Sequence, residues 1–278
     1  MVSINSNYAA TFAAKAAKQT TTELNSAMEK LSTGKRINYA RDDAAGQAIS
    51  VRLTAEIQGL AMASRNASDG QAMIDTIEGA LMETQTLLLR MRELAVQASN
   101  GTLATADRAS LQIEAASLEE EITRIAQTSS WAGQNLLDGS LSDGITFQAG
   151  TKAGAGNLIT ISVGEMTVAS ATIGYTAAFT IGAFENAQSA ITQIDAALSG
   201  VSEVRGKLGG ISNRLNSTIA NMDQVRVNLQ ASQGRIADAD FAVETGNLAK
   251  NQILQQAATA MIAQANASKN SVLNLLRG

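Results

Sequence analysis

The stretch from Leu60 to Ala98, LAMASRNASDGQAMIDTIEGALMETQTLLLRMRELAVQA, decides the fold. Leu60, Ala63, Ala67, Gly70, Ile74, Ile77, Leu81, Thr84, Leu88, Met91, Ala95 and Ala98 recur at alternating steps of three and four, the repeat of a coiled-coil seam. Towards the N-terminus the repeat takes in Leu53 and Ile49, and only Glu56 interrupts it. With no Pro anywhere to break it, one helix is expected from about Ala44 to Ser99, roughly 80 Å long at about 1.5 Å per residue. A helix of that length implies a rod.

Two partners follow along the chain. Asn100-Gly101-Thr102 reads as a C-cap and turn, and Thr105 or Asp107 caps a second, antiparallel helix with its seam on Leu111, Ala115, Leu118, Ile122 and Ile125. A third long helix carries Ile191, Ile194, Leu198, Val201 and Leu208. Its phase is expected to slip around Gly206 to Gly210 and to resume at Ile211, Leu215, Thr218, Met222, Val225 and Leu229. Between Gly139 and Gly182 the pattern changes to eight glycines, three charges and short β-branched runs at Ile145 to Phe147, Leu158 to Val163 and Ala178 to Ile181. This is a small β-rich insert. Its Gly150 to Gly156 run lacks the Lys-Ser/Thr pair of a phosphate loop and reads as hairpin turns.

The two ends share a different texture. Ala10, Ala13, Ala17, Thr20, Leu24, Ala27 and Leu31 keep one heptad, and Leu254, Ala258, Met261, Ala265, Ser268, Val272 and Leu275 keep another. Small seam residues let helices approach closely, yet each Ala buries little area, so these helices are expected to be marginal in a lone monomer. Polar hinges at Asn38 to Asp43 and Gln233 to Asp240 separate them from the bundle. Amphipathic ends beside a well-patterned bundle fit segments that order when copies pack together. The chain therefore divides into segments 1–43, 44–138, 139–182, 183–234 and 235–278. The fold class is mainly α, a long-helix coiled-coil or bundle rod with a small β-rich element in mid-chain.

Composition removes most chemistry. Among 278 residues there is no Cys, His or Pro, which excludes disulfides, thiol nucleophiles, imidazole acid/base catalysis and Cys- or His-ligated metals. No cofactor and no enzymatic constellation is expected. A net charge of −4 with 3% aromatics gives no nucleic-acid footprint. No apolar stretch is long enough to span a membrane, and Met1 to Ala10 lack the layout of a secretory signal. Residues 1–36 carry a net charge of +3 but lack the Trp, Phe and Leu load of an interfacial anchor, so no membrane insertion is expected.

Specific motifs carry a family resemblance. Leu31-Ser-Thr-Gly-Lys-Arg-Ile-Asn38 with Asp42-Asp43-Ala-Ala-Gly46, Ser64-Arg-Asn-Ala-Ser-Asp-Gly70 and Arg92-Glu-Leu-Ala-Val-Gln97 resemble the N-terminal signatures of bacterial flagellins. Ala237-Asp-Ala-Asp-Phe-Ala-Val-Glu-Thr245, Gln252-Ile-Leu-Gln-Gln-Ala257, Ala263-Gln-Ala-Asn266 and Val272-Leu-Asn-Leu-Leu-Arg277 resemble the closing helix of that family. The resemblance covers about residues 1–138 and 184–278. It implies a filament subunit whose two ends form an inner coiled-coil layer and whose bundle forms an outer layer. Because the 139–182 insert is short, the form implied is a minimal one with the core layers alone. The intact Arg92 to Gln97 signature favours the filament subunit over the hook-filament junction adaptor. Trp131-Ala-Gly133 stands where the family usually has Phe followed by Asn-Gly.

The resemblance also implies partners and residues. The expected polymerisation seam is Ala10, Ala17, Leu24, Leu31, Leu254, Met261, Val272 and Leu275. Arg90, Leu94 and Glu114 match positions at which the host innate flagellin receptor engages sensed flagellins. Val272, Leu273, Leu275, Leu276 and Arg277 resemble the tail covered by the flagellar export chaperone and read by cytosolic immune sensors. Further partners implied are other copies of the chain, the hook-filament junction protein and the filament cap protein. The location implied is the extracellular filament, reached through the flagellar type III route without a cleaved signal.

Overall fold

The computed structural model describes residues 6–168 and 179–275, with 270–275 as backbone alone. It contains five helices among these residues: α1 (Tyr8–Thr33), α2 (Ala44–Ala98), α3 (Thr105–Thr128), α4 (Phe184–Ala237) and α5 (Phe241–Leu275). Two short hairpins lie between α3 and α4: β1 (Ser130–Trp131) with β2 (Gln134–Asn135), and β3 (Ile145–Gln148) with β4 (Leu158–Ile161). The chain divides into two units, Gln58–Arg226, and the residues up to Ile57 together with those from Val227.

In the first of these units every heptad position of α2 from Leu60 to Ala98 is buried. The flanking positions Gln71, Glu78, Gln85 and Arg92, seven residues apart, reach α4. Gln71 donates to Ser212 (2.8 Å), Arg205 to Glu78 (2.8 Å) and to Gln85, and Arg92 to Asp195 (2.7 Å). Partners descend α4 as they climb α2, so the two helices are antiparallel. On α4 up to Arg226 the buried residues are Ala187, Ala190, Ile194, Ala197, Val201, Leu208, Leu215 and Met222, one heptad phase throughout. The expected phase slip at Gly206 to Gly210 is absent. Ile191 and Leu198, half-buried, flank that seam, whereas the smaller Ala190 and Ala197 occupy it.

Helix α3 closes on the same core through Ala115, Ile122, Ile125 and Ala126. The buried Arg108 ties its start to the end of α2 by donating to the carbonyls of Ala98 and Asn100, both at 2.9 Å. The Ala98 carbonyl ends α2 without a helical partner, and the guanidinium satisfies it. The β3–β4 hairpin pairs Ile145 with Ile161 and Gln148 with Leu158, and lays Phe147 across α2 at Gly70, where a Cβ would approach the ring to 3.3 Å. The Gly150 to Gly156 run is its loop, closed by Gln148 and Asn157 side chains donating to the Lys152 carbonyl. Phe179 to Ile181 forms no strand; its backbone is held by the Gln112 amide of α3.

The β1–β2 hairpin turns through Ala132 and Gly133 at φ +50° and +84°. Two positive φ values are the mark of a type I′ turn, which favours Asn-Gly. Ala pays a left-handed cost there of about 1 kcal/mol. Ala132→Asn is accordingly expected to raise unfolding stability by up to about 1 kcal/mol, read from the denaturation midpoint at constant m-value. An unchanged or lowered midpoint would contradict this.

Candidate functional site

Helices α1 and α5, from opposite ends of the chain, pack antiparallel on one another. Asn7 caps α1 by accepting from the Ala10 amide (3.1 Å), and its amide group donates to the Ala265 carbonyl and the Asn266 side chain, each at 3.2 Å. Gln255 donates to Thr21 (3.2 Å), and Lys30 pairs with Glu244 (3.3 Å). The inward face of α1 is the expected one: Thr20 and Ala27 are buried, and Ala10, Ala13, Ala17, Leu24 and Leu31 are half-buried.

The inward face of α5 differs from the expected seam. It runs through Glu244, Leu248, Asn251, Gln255, Ala258, Ile262, Ala265 and Lys269, again a heptad, with Glu244 and Asn251 only 9% and 6% exposed. Leu254 and Met261 instead point outward, 43% and 61% exposed. Ala10, Ala17, Leu24 and Leu31 are thus engaged within the chain, and Leu254 and Met261 are not. Tyr8, Met28 and Ile253 are further exposed apolar side chains of the two helices, and Phe12 of α1 lies beside Met261. A groove of about 380 Å³ lined by Phe12, Ala13, Ala16, Met261 and Ala265 opens there. Contiguous exposed apolar patches are the kind of surface through which proteins associate.

The hinges that lead to these helices are joined. Gly34, at φ +68°, ends α1, and its carbonyl accepts from the Ala239 amide (3.0 Å). The Arg36 amide donates to the Ala237 carbonyl (2.7 Å), and the Arg36 guanidinium to the Ile236 carbonyl (2.7 Å). Asp42 accepts the Asn38 and Tyr39 amides, and these bonds hold its carboxyl below the ordinary aspartate range. Asp43 and Asp240 cap the starts of α2 and α5 by accepting amides of Gly46 and Ala242, both at 2.8 Å. Sequence periodicity singled out none of Lys30, Arg36, Glu244 or Asn251, because polar residues inside a heptad carry no apolar signal.

In the other unit Arg90 bridges two helices. It donates to Glu114 of α3 (2.7 Å) and to Glu93 of its own helix (2.9 Å), which raises its pKa. Arg90 and Glu114 are exposed, whereas Leu94 is 1% exposed and belongs to the bundle core. Of the tail residues, Val272, Leu273 and Leu275 fall on the last turns of α5, and Leu276 and Arg277 lie outside the described residues. Among the described residues no cluster of three or more potential ligands could hold a metal ion, and no helix is long and apolar enough to cross a membrane.

Known proteins match this arrangement at both ends. Residues 4–142 match the model of the bacterial flagellin N-terminal helical region, and residues 191–276 that of the C-terminal helical region. The chain belongs to the bacterial flagellin family. A flagellin of Halalkalibacterium halodurans is 49% identical over 251 residues, 90% of this chain and 91% of that one. Flagellin FlaB1 of Treponema pallidum is 39% identical over 284 residues, 99% of both chains. A putative flagellar hook-associated protein of Vibrio parahaemolyticus shares the fold, with a TM-score of 0.60 at 16% identity over 71% of this chain and all of that one. This flagellin is a structural subunit of the flagellar filament, in the minimal form that a chain of 278 residues permits.

Proposed function

We propose that the subunit polymerises through the outer face of the α1–α5 pair, and that this pair becomes fully ordered only when another copy covers it. The observation that carries the reading is the outward position of Met261 beside Phe12, with Leu254 exposed two turns away on α5, on a helix pair whose inward face is already filled. A second copy buries this apolar face, and head-to-tail contacts that do not close generate a helical polymer. In this reading α1 and α5 form the inner layer and α2 to α4 the outer one. The work is structural rather than catalytic, and its place is the extracellular filament. The apolar end of α5 makes a covering export chaperone physically expected before assembly, since an exposed amphipathic helix aggregates. Type III export of an unfolded chain suits a marginal, Cys-free protein. The hook-filament junction and cap proteins are the partners proposed at the two filament ends.

For a host innate receptor, Arg90 and Glu114 are the proposed contact residues. Leu94 supports them from inside the bundle without reaching a partner on the folded monomer.

Met261→Glu is expected to leave helicity and bundle melting unchanged while abolishing elongation from filament seeds, followed by pelleting and negative-stain microscopy. Long filaments of this variant would overturn the proposed face, and a wild-type monomer that never elongates from seeds would move the reading to a junction adaptor. In a binding titration against the receptor ectodomain, Arg90→Ala monomer is expected to bind at least several-fold more weakly than wild type. Equal binding removes Arg90 from that surface.

A further inference from the structure

The seam between α1 and α5 poses a problem of register. Sliding one helix along the other by seven residues brings Ala10 to the place of Ala17 and Ala258 to the place of Ala265, so the apolar contacts barely distinguish the two alignments. A heptad repeat of small residues is degenerate in this way, and polar residues at seam positions are what fix alignment in coiled coils. Two such residues, Glu244 and Asn251, sit here on the α5 seam, and Lys30 meets them from the flank of the α1 seam. Glu244 is buried with one carboxylate oxygen 3.3 Å from the Lys30 ammonium and the other 3.3 Å from the Asn247 amide. Asn251, two helical turns along α5 and also buried, lines the same polar cleft of about 250 Å³ with Lys30 and Glu244.

We propose that Lys30, Glu244 and Asn251 are the register-setting residues of the α1–α5 pair, aligning the two helices so that Phe12 and Met261 form one groove for the next subunit. The proposal rests on the polymerisation face described above. A seven-residue slip in one direction puts Glu244 beside Glu23, a second carboxylate. In the other direction Glu244 passes Thr33, the end of α1, and Lys30 faces Asn251. Either slip leaves a half-buried charge unpaired, which is costly. Either also shifts Phe12 from Met261 by about 10 Å and dismantles the groove. The residues are positioning residues: they act on the assembly surface through helix alignment.

The full-length chain, free of Cys, suits a spin-label test. Nitroxides are attached through Thr22→Cys and Ala263→Cys, both exposed and offset along the pair, and distances are measured on frozen monomer in an osmolyte that favours the compact state. The chain with Lys30, Glu244 and Asn251 intact is expected to give a single distance. The apolar variant Lys30→Leu, Glu244→Leu, Asn251→Leu is expected to keep its helicity, to show a second population displaced by about 10 Å, and to elongate seeds several-fold more slowly. The exchange Lys30→Glu with Glu244→Lys is expected to restore the single distance and elongation, which Lys30→Glu alone does not. A single, unshifted distance in the apolar variant overturns the proposal, whether elongation survives or fails. Wild-type monomer that shows one distance but never elongates instead overturns the polymerisation reading and leaves the register assignment standing.

Discussion

Everything distinctive about this flagellin depends on bringing the two ends of the chain to one place. Residues around Gly34 to Arg36 and Ala237 to Ala239 exchange backbone hydrogen bonds, so the hinge leaving α1 and the hinge entering α5 are tied although some two hundred residues separate them. Within the same unit Gln233 of α4 donates to Thr54 of α2. A pair of terminal helices without a common starting point would face the full entropic cost of finding each other.

The two helical seams are packed for different tasks. The α2 seam fills with Leu, Ile and Met that are essentially inaccessible to water, and each such side chain contributes about 1.5–3 kcal/mol of burial. The α1–α5 seam is mostly Ala, Thr, Asn and Gln with one ion pair, and its Leu24, Leu31, Leu248 and Ile262 are only half-buried. Ordering each residue costs about 1–2 kcal/mol of backbone entropy, which so little apolar burial offsets only narrowly. Several larger apolar side chains of these helices, Phe12, Ile253, Leu254 and Met261 among them, are exposed. Their burial becomes available when a neighbour arrives. In the proposed reading the stability of the ends is thereby coupled to assembly, while the bundle stands without it.

The bundle was legible in the sequence because its repeat is strict and is carried at its centre by large residues, Ile74, Ile77, Leu81, Leu88 and Met91: each position read from Leu60 to Ala98 is buried. Reading by side-chain size failed where a small residue holds the seam. Ile191 and Leu198 drew the α4 stripe one residue away from Ala190 and Ala197 and produced an apparent slip. The same bias drew the α5 seam through Leu254 and Met261, when the inward line passes through Glu244, Asn251 and Gln255. Burial of Leu94 was missed because it lies one residue off the repeat, on the flank that a second neighbour covers. The β1–β2 hairpin has two-residue strands, leaves no periodic trace, and lies before the 139–182 insert in which the sequence placed its β structure.

Hydrogen-deuterium exchange on monomer and on filament tests the central claim, that the chain ends pair with each other yet stay marginal until a copy covers them. The account predicts rapid exchange across α1 and α5 in the monomer, strong slowing there on assembly, and high protection of Leu60 to Ala98 in both states. Equal protection of α1 and α5 in monomer and filament would contradict it.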